Sequence, residues 1–126
     1  MTEAASKRDV GDRGEELAAD FLRGTAGMVV LARNWRCKIG EIDIVALEEE
    51  GTHTTLVFCE VKTRSGLGFG APLEAITHQK LRRLRHLAAH WLIAEETRAD
   101  DIRLDAIGVV LLPGQEPDIT HVRAIG

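Results

Sequence analysis

Hydrophobic and polar positions recur along this chain with two different periods, and the switches between them lay out the elements. Val10, Leu17, Ala18, Phe21 and Leu22 fall at helical spacing, so a helix is expected from about 10 to 23, with Gly24 and Gly27 as its stops. Strand-like runs follow over 28–36, 39–47 and 55–63. The polar, glycine-containing loop over 48–54 makes a hairpin of the second and third. A glycine-rich stretch, Gly66-Leu67-Gly68-Phe69-Gly70, then closes at Pro72. Leu81, Leu84, Leu87, Ala88, Trp91 and Leu92 mark a long amphipathic helix over about 77–96, with Thr77 as its N-cap. Two further strands are expected over 102–112 and 119–124, across a turn at 113–117. The order is helix, three strands, helix, two strands: an α/β chain with one domain over 10–126 behind a flexible tail of residues 1–9.

Gly11 and Gly14 lie inside the first helix, where each costs roughly 1 kcal/mol relative to Ala. They point either to close packing of helix on sheet or to close approach of a ligand. Strands expose alternate residues on opposite faces, so Glu41 and Asp43 share one face of their strand, and Glu60 and Lys62 share one face of theirs. If the hairpin turns between Gly51 and Thr52, Asp43 stands opposite Glu60, and Glu41 opposite Lys62. A slip of one residue would separate the two carboxylates. Two carboxylates facing each other in mid-strand repel, unless one is protonated, a cation neutralises both, or Lys62 does so alone as a solvent-facing ion pair. Val45, Leu56 and Phe58 on the same face look buried, and Lys62 has Glu41 to serve as well. The pattern therefore favours a divalent metal. Oxygen ligands without His or Cys suit Mg²⁺ or Mn²⁺, and a lysine beside the ion suits hydrolysis of a phosphodiester.

Composition changes the picture only once it is resolved along the chain. The 126 residues are 44% hydrophobic and 29% charged, an ordinary globular mixture. The formal net charge of -4 argues against a nucleic-acid partner. Between Glu60 and Ile93, however, six basic residues stand against two acidic ones, and the acidity lies elsewhere. Arg64, Lys80, Arg82, Arg83 and Arg85 in that segment either contact phosphates or solvate a helix face. No apolar run reaches the ~20 residues of a membrane helix, and no signal-peptide stretch opens the chain. Cys37 and Cys59 match no metal or redox spacing, so a cytoplasmic protein is expected.

Five pieces, in order, carry a family resemblance: Gly11-x-x-Gly14-Glu15, Asn34-Trp35-Arg36, Gly40-Glu41-Ile42-Asp43, Glu60-Val61-Lys62-Thr63-Arg64, and Phe69-Gly70-x-Pro72 followed by Lys80. The chain resembles, over about 10–125, the YraN-like proteins, a largely uncharacterised bacterial family similar to archaeal Holliday junction resolvases. That resemblance implies a restriction-endonuclease-like core with a mixed five-stranded sheet flanked by helices. It implies Asp43 and Glu60 as metal ligands, with the Val61 carbonyl as a third, and Lys62 as the group that orients or activates water. It implies Glu15 as a first-helix acid brought to the metal and Lys80 as a helix residue facing the site. The nuclease motif usually has Pro-Asp, where Ile42-Asp43 stands here.

Two functions stay open at this level. One is a Mg²⁺- or Mn²⁺-dependent nuclease acting on branched or otherwise structured DNA in repair or recombination, with a homodimer suggested by the junction-cutting relatives. The other is a binding module of the same fold that docks on nucleic acid or on a repair protein without cutting. Glu41 is either a further ligand or a rim acid paired with Lys62, and Asp105 either supports the site or pairs with Arg103. His86 and His90 lack a third ligand at matching spacing. The glycines at 66, 68 and 70 have the wrong spacing for a dinucleotide loop. Trp35 and Trp91 read as core.

Overall fold

The structure, a computed structural model, describes residues 6–66, 73 and 76–126. Its elements are α1 (Lys7–Gly24), β1 (Val29–Cys37), β2 (Gly40–Glu50), β3 (His53–Arg64), α2 (His78–Glu95), β4 (Asp101–Val110) and β5 (Asp118–Val122). The first helix begins three residues before its expected start, because Ser6 caps it. The Ser6 hydroxyl accepts from the Asp9 N–H at 3.1 Å, and the Asp9 carboxylate accepts from the Ser6 N–H at 3.4 Å. Lys7, Arg8 and Asp9, expected in a tail, are thus the first turn of α1. Thr77 caps α2 by accepting from the Lys80 N–H at 3.2 Å. The glycine-rich stretch after Gly66, with Phe69-Gly70 and Pro72, lies outside the described residues.

The five strands form one mixed sheet in the order β1-β2-β3-β4-β5. Antiparallel meander β1–β2–β3 is followed by parallel β3–β4, joined through α2, and antiparallel β4–β5. The expected hairpin axis holds, with Glu50 opposite His53 and Ile44 opposite Cys59. Gly51 supplies the positive φ (60°) that its tight turn needs. The central strands β3 and β4 are buried over most of their length, as strands covered on both faces must be.

Two clusters cover the two faces. Ala18, Ala19 and Leu22 of α1 pack on Ile44, Ala46, Val57, Cys59, Val61, Ile107 and Val109. Leu84, Leu87, Ala88 and Trp91 of α2 pack on Ile42, Val45, Leu56, Phe58 and Leu104. Trp91 meets Phe58 edge-to-face with centroids 5.7 Å apart. At Gly14 the backbone of α1 lies so close to β3 that a Cβ would overlap the Thr63 side chain. The packing explanation therefore applies to Gly14; at Gly11 a Cβ would meet nothing within 4 Å. No helix among the described residues is long and apolar enough to cross a membrane.

One buried polar network ties the later strands to the hairpin. Asp105 is fully buried and accepts from Arg103 Nε at 2.8 Å, Arg103 Nη2 at 3.0 Å and the Ala124 N–H at 3.1 Å, and it meets His121 Nε2 at 2.8 Å. Arg103 also donates to Glu48 of β2, as does Arg123. Asp105 is thus a strand-locking carboxylate, and of its two expected roles the pairing with Arg103 is the one observed. Burial alone would raise its pKa, but the bonds from His121, Arg103 and Ala124 outweigh burial and hold it at about 2. Removing the carboxylate leaves Arg103 with Glu48 alone and takes the acceptor from the Ala124 N–H, so Asp105→Ala should lower stability by about 3 kcal/mol at pH 7, read as a drop in the urea midpoint. With its pKa depressed from 3.8, Asp105 contributes about 2 kcal/mol that is complete above the unfolded value and lost as pH falls toward 2. The variant should lack that acid-dependent loss; an identical acid profile in both proteins would contradict it.

Candidate functional site

The site forms where β2 parts from β3. Their ladder runs from the turn to Ile44 opposite Cys59 and stops there, while residues 40–42 of β2 stay paired to β1. Across the gap Asp43 Oδ2 accepts the Val61 N–H at 2.8 Å, so a side chain takes the place of a strand carbonyl. The faces change over at the same point: Ile42 belongs to the α2 side and Ile44 to the α1 side. In β1 the residue facing this irregularity is Asn34, which lies between Arg33 and Trp35 of the ladder and has a positive φ of 52°. Asn tolerates that left-handed conformation better than most residues.

This changeover turns Asp43 toward α1. Glu15, one residue past the helix–strand contact at Gly14, lies with Glu41 and Asp43 so that one carboxylate oxygen from each falls within 4.8 Å of the others. Asn34 sits among them. With its amide nitrogen toward the acids, it donates to Glu15 at 3.0 and 3.2 Å and to Glu41 at 2.8 Å. Arg36 Nε donates to Glu41 at 3.1 Å. The expected Glu41–Lys62 pair is absent, because Glu41 points to the α1 side and Lys62 instead pairs with Glu60 at 3.6 Å. Glu60 and Lys62 share the face of β3 toward α2, whose first turn brings Lys80 to them. Asp43 and Glu60 therefore approach around the gap between strands, not across a rung of the ladder.

The charges are crowded and under-compensated. Burial, opposed by the Val61 N–H and reinforced by the Glu15 charge, raises Asp43 to about 7. Burial and the Asp43 charge raise Glu60 to about 6 against the pull of Lys62 and Lys80. Glu15 is also raised, chiefly by burial. Lys80 is lowered, first by its contact with Lys62. An all-oxygen set of three carboxylates with a carboxamide beside it, lacking enough cations of its own, fits a hard divalent ion.

Of the residues singled out from the sequence, Glu15, Asp43, Glu60, Val61, Lys62 and Lys80 come together at this end of the sheet. Val61 takes part through its N–H to Asp43. Arg64 lies further along β3, beside a neighbouring cavity. Arg82, Arg83 and Arg85 are exposed on α2 and diverge, Arg83 lying along Gly40 and Arg85 reaching Gly126. Asn34 and Arg36 were missed as site residues, although Asn34-Trp35-Arg36 was one of the marked motifs. Asn34 itself carried a cue, since Asn is depleted in strands and enriched at positive φ, but that cue does not locate the rung or its partners.

Fold and site together define an α/β protein whose carboxylates and lysines converge at one end of a mixed sheet. The model of the uncharacterised protein family UPF0102 matches residues 14–109. A UPF0102 protein of Nocardia farcinica is 46% identical over 125 residues, covering 99% of this chain and 94% of the relative. One from Mycolicibacterium smegmatis is 46% identical over 121 residues (96% and 95% of the two chains), and one from Mycolicibacterium gilvum is 44% identical over both full lengths. The chain belongs to the UPF0102 family, the YraN-like family that its motifs resemble.

The raised acids carry a stability cost with a definite sign. As pH rises past 3.8 the unfolded Asp43 ionises while the folded one holds its proton to about 7, so the folded state loses ground over that window. Asp43→Asn keeps an acceptor for the Val61 N–H and removes the charge. In buffer with EDTA it should be more stable than the parent by roughly 1–3 kcal/mol at pH 8, with the gain vanishing near pH 3. A variant less stable than the parent at pH 8 would contradict this account of the site.

Proposed function

We propose that this protein is a metal-dependent phosphodiester hydrolase acting on structured DNA, with branched or flapped molecules as its substrates. The observation that supports this most is the cluster of Glu15, Glu41 and Asp43 with Glu60 next to Asp43, in which Glu15, Asp43 and Glu60 are held above their ordinary pKa, beside the ammonium groups of Lys62 and Lys80. Asp43, Glu15 and Glu60 would hold Mg²⁺ or Mn²⁺, which supplies charge neutralisation at a phosphate and a water of lowered pKa. Lys62, fixed by Glu60, presents its ammonium where it orients a water for attack. Lys80 adds a second positive charge on the same side, placed to meet phosphate oxygens as negative charge builds on them. Asn34 and Arg36 hold Glu41 and Glu15 in place from the edge strand.

A panel of branched, flapped, single-stranded and duplex DNA incubated with each ion tests the reading. Cleavage of at least one structured substrate is expected with Mg²⁺ or Mn²⁺, and Asp43→Ala or Lys62→Ala should each lower the rate by about 100-fold or more. Titration calorimetry with Mn²⁺ should show a site that Asp43→Ala removes. DNA binding without any cleavage or ion uptake would identify the non-cutting binding module, and cleavage that survives both substitutions would sink the assignment of residues.

A further inference from the structure

Beside the carboxylates a cavity of about 750 Å³ opens between the first two turns of α1 and the end of β3. Its size is in the range of pockets that hold a nucleotide-sized ligand. Glu15 and Lys62 are among its lining residues, so it adjoins the site described above. Its remaining charged lining is mostly basic: Lys7 and Arg8 from the first turn of α1, and Arg64 from β3, against Asp12. Among the described residues no aromatic side chain lines it, so these offer no platform for stacking a base.

Two details of the wall lack an explanation in the packing of the described residues. Gly11 faces the cavity with nothing within 4 Å of where its Cβ would be, although glycine inside a helix costs about 1 kcal/mol relative to alanine. At Gly14 the Thr63 contact accounts for that cost; at Gly11 no described residue does, and the missing side chain leaves the wall open. The Arg64 Nε is buried and finds no hydrogen-bond partner among the described residues, which leaves a desolvated donor on a charged group.

We propose that this cavity holds the sugar-phosphate of a nucleotide next to the one attacked, with its phosphate on Arg64, Lys7 and Arg8. The strand is then gripped by α1 and β3 through its backbone, with Gly11 leaving room for the sugar and without reading the base. This rests on the hydrolase reading for its place beside the attacked bond, but the binding it describes needs no metal.

The test is binding of fluorescent single-stranded and flapped oligonucleotides to the full chain in EDTA, at several salt concentrations and in two or more base sequences. Arg64→Ala and the double change Lys7→Ala/Arg8→Ala should each weaken binding about 10-fold and lower the slope of log affinity against log salt by about one per lost phosphate contact. Arg98→Ala, an exposed arginine beyond α2, serves as the charge-matched control and should change neither. Gly11→Leu removes no charge; it should melt at or above the parent's temperature yet bind about 10-fold more weakly, and base sequence should matter little. Parent-like binding by Gly11→Leu, or an unchanged salt slope in both charge variants, overturns the proposal, as does a parent that binds no oligonucleotide. Pocket-dependent binding without metal-dependent cleavage would remove the hydrolase reading and leave the cavity assignment standing. Cleavage that needs Asp43 and Lys62 but ignores all the pocket variants would do the reverse.

Discussion

The hydrogen bond from the Val61 N–H to the Asp43 carboxylate decides most of what is distinctive about this molecule. A buried backbone donor must find an acceptor. Were the β2–β3 ladder to continue past Ile44 and Cys59, a carbonyl would supply it, and Asp43 would be one more cross-strand residue. Because the side chain supplies it instead, β2 is free to turn its faces over, and Glu41 and Asp43 swing to the side where α1 delivers Glu15. The depth of that delivery is set by Gly14, whose missing side chain lets the helix rest on Thr63. One amide–carboxylate bond and one helix–strand contact thus bring the two acids of β2 together with the one of α1.

Two aspartates on this sheet show what a buried carboxylate can be for. Asp105 is enclosed by Arg103, His121 and the Ala124 N–H, and its pKa falls to about 2. Asp43 has one N–H and two acids for neighbours, and its pKa rises to about 7. Burial acts in the same direction on both, so the difference lies in the partners. A fully compensated charge holds β4 and β5 to the hairpin; an uncompensated one is what a binding or reacting group looks like before its ligand arrives. The fold carries the second at a cost in stability that the first helps to offset.

Much of this was legible in the sequence because it depends on period and spacing. The seven elements, the hairpin axis through Gly51 and the Thr77 cap follow from alternation and capping chemistry, and the structure reproduces them. What could not be read was the rung at Asp43, where alternation fails. Extrapolating the ladder put Asp43 and Glu60 face to face and gave Lys62 to Glu41. The positive φ of Asn34 and the face change between Ile42 and Ile44 are tertiary facts, since they depend on β1 and α1 packing there at once. The capping box at Ser6 and Asp9, by contrast, was written in the sequence and extends α1 through residues taken for a tail. The α2 arginines were grouped by composition, but successive positions on a helix point in different directions, and Arg83 and Arg85 part accordingly.

The acids of this site are anchored in parts of the sheet with very different resistance to opening. Glu60 and Lys62 belong to β3, an inner strand that stays paired to β4 at these positions after β2 has parted from it. Asn34 and Arg36 belong to β1, the outermost strand, whose residues alternate between exposed and partly buried. Local opening begins at such edges and reaches central strands last. Glu41 and Asp43 lie between the two, bonded outward to the edge and inward to β3. Any ligand that draws Glu15, Glu41 and Asp43 together therefore also clamps the most easily frayed strand to the most protected one. Amide exchange in β1 is accordingly a direct gauge of whether the carboxylates are engaged.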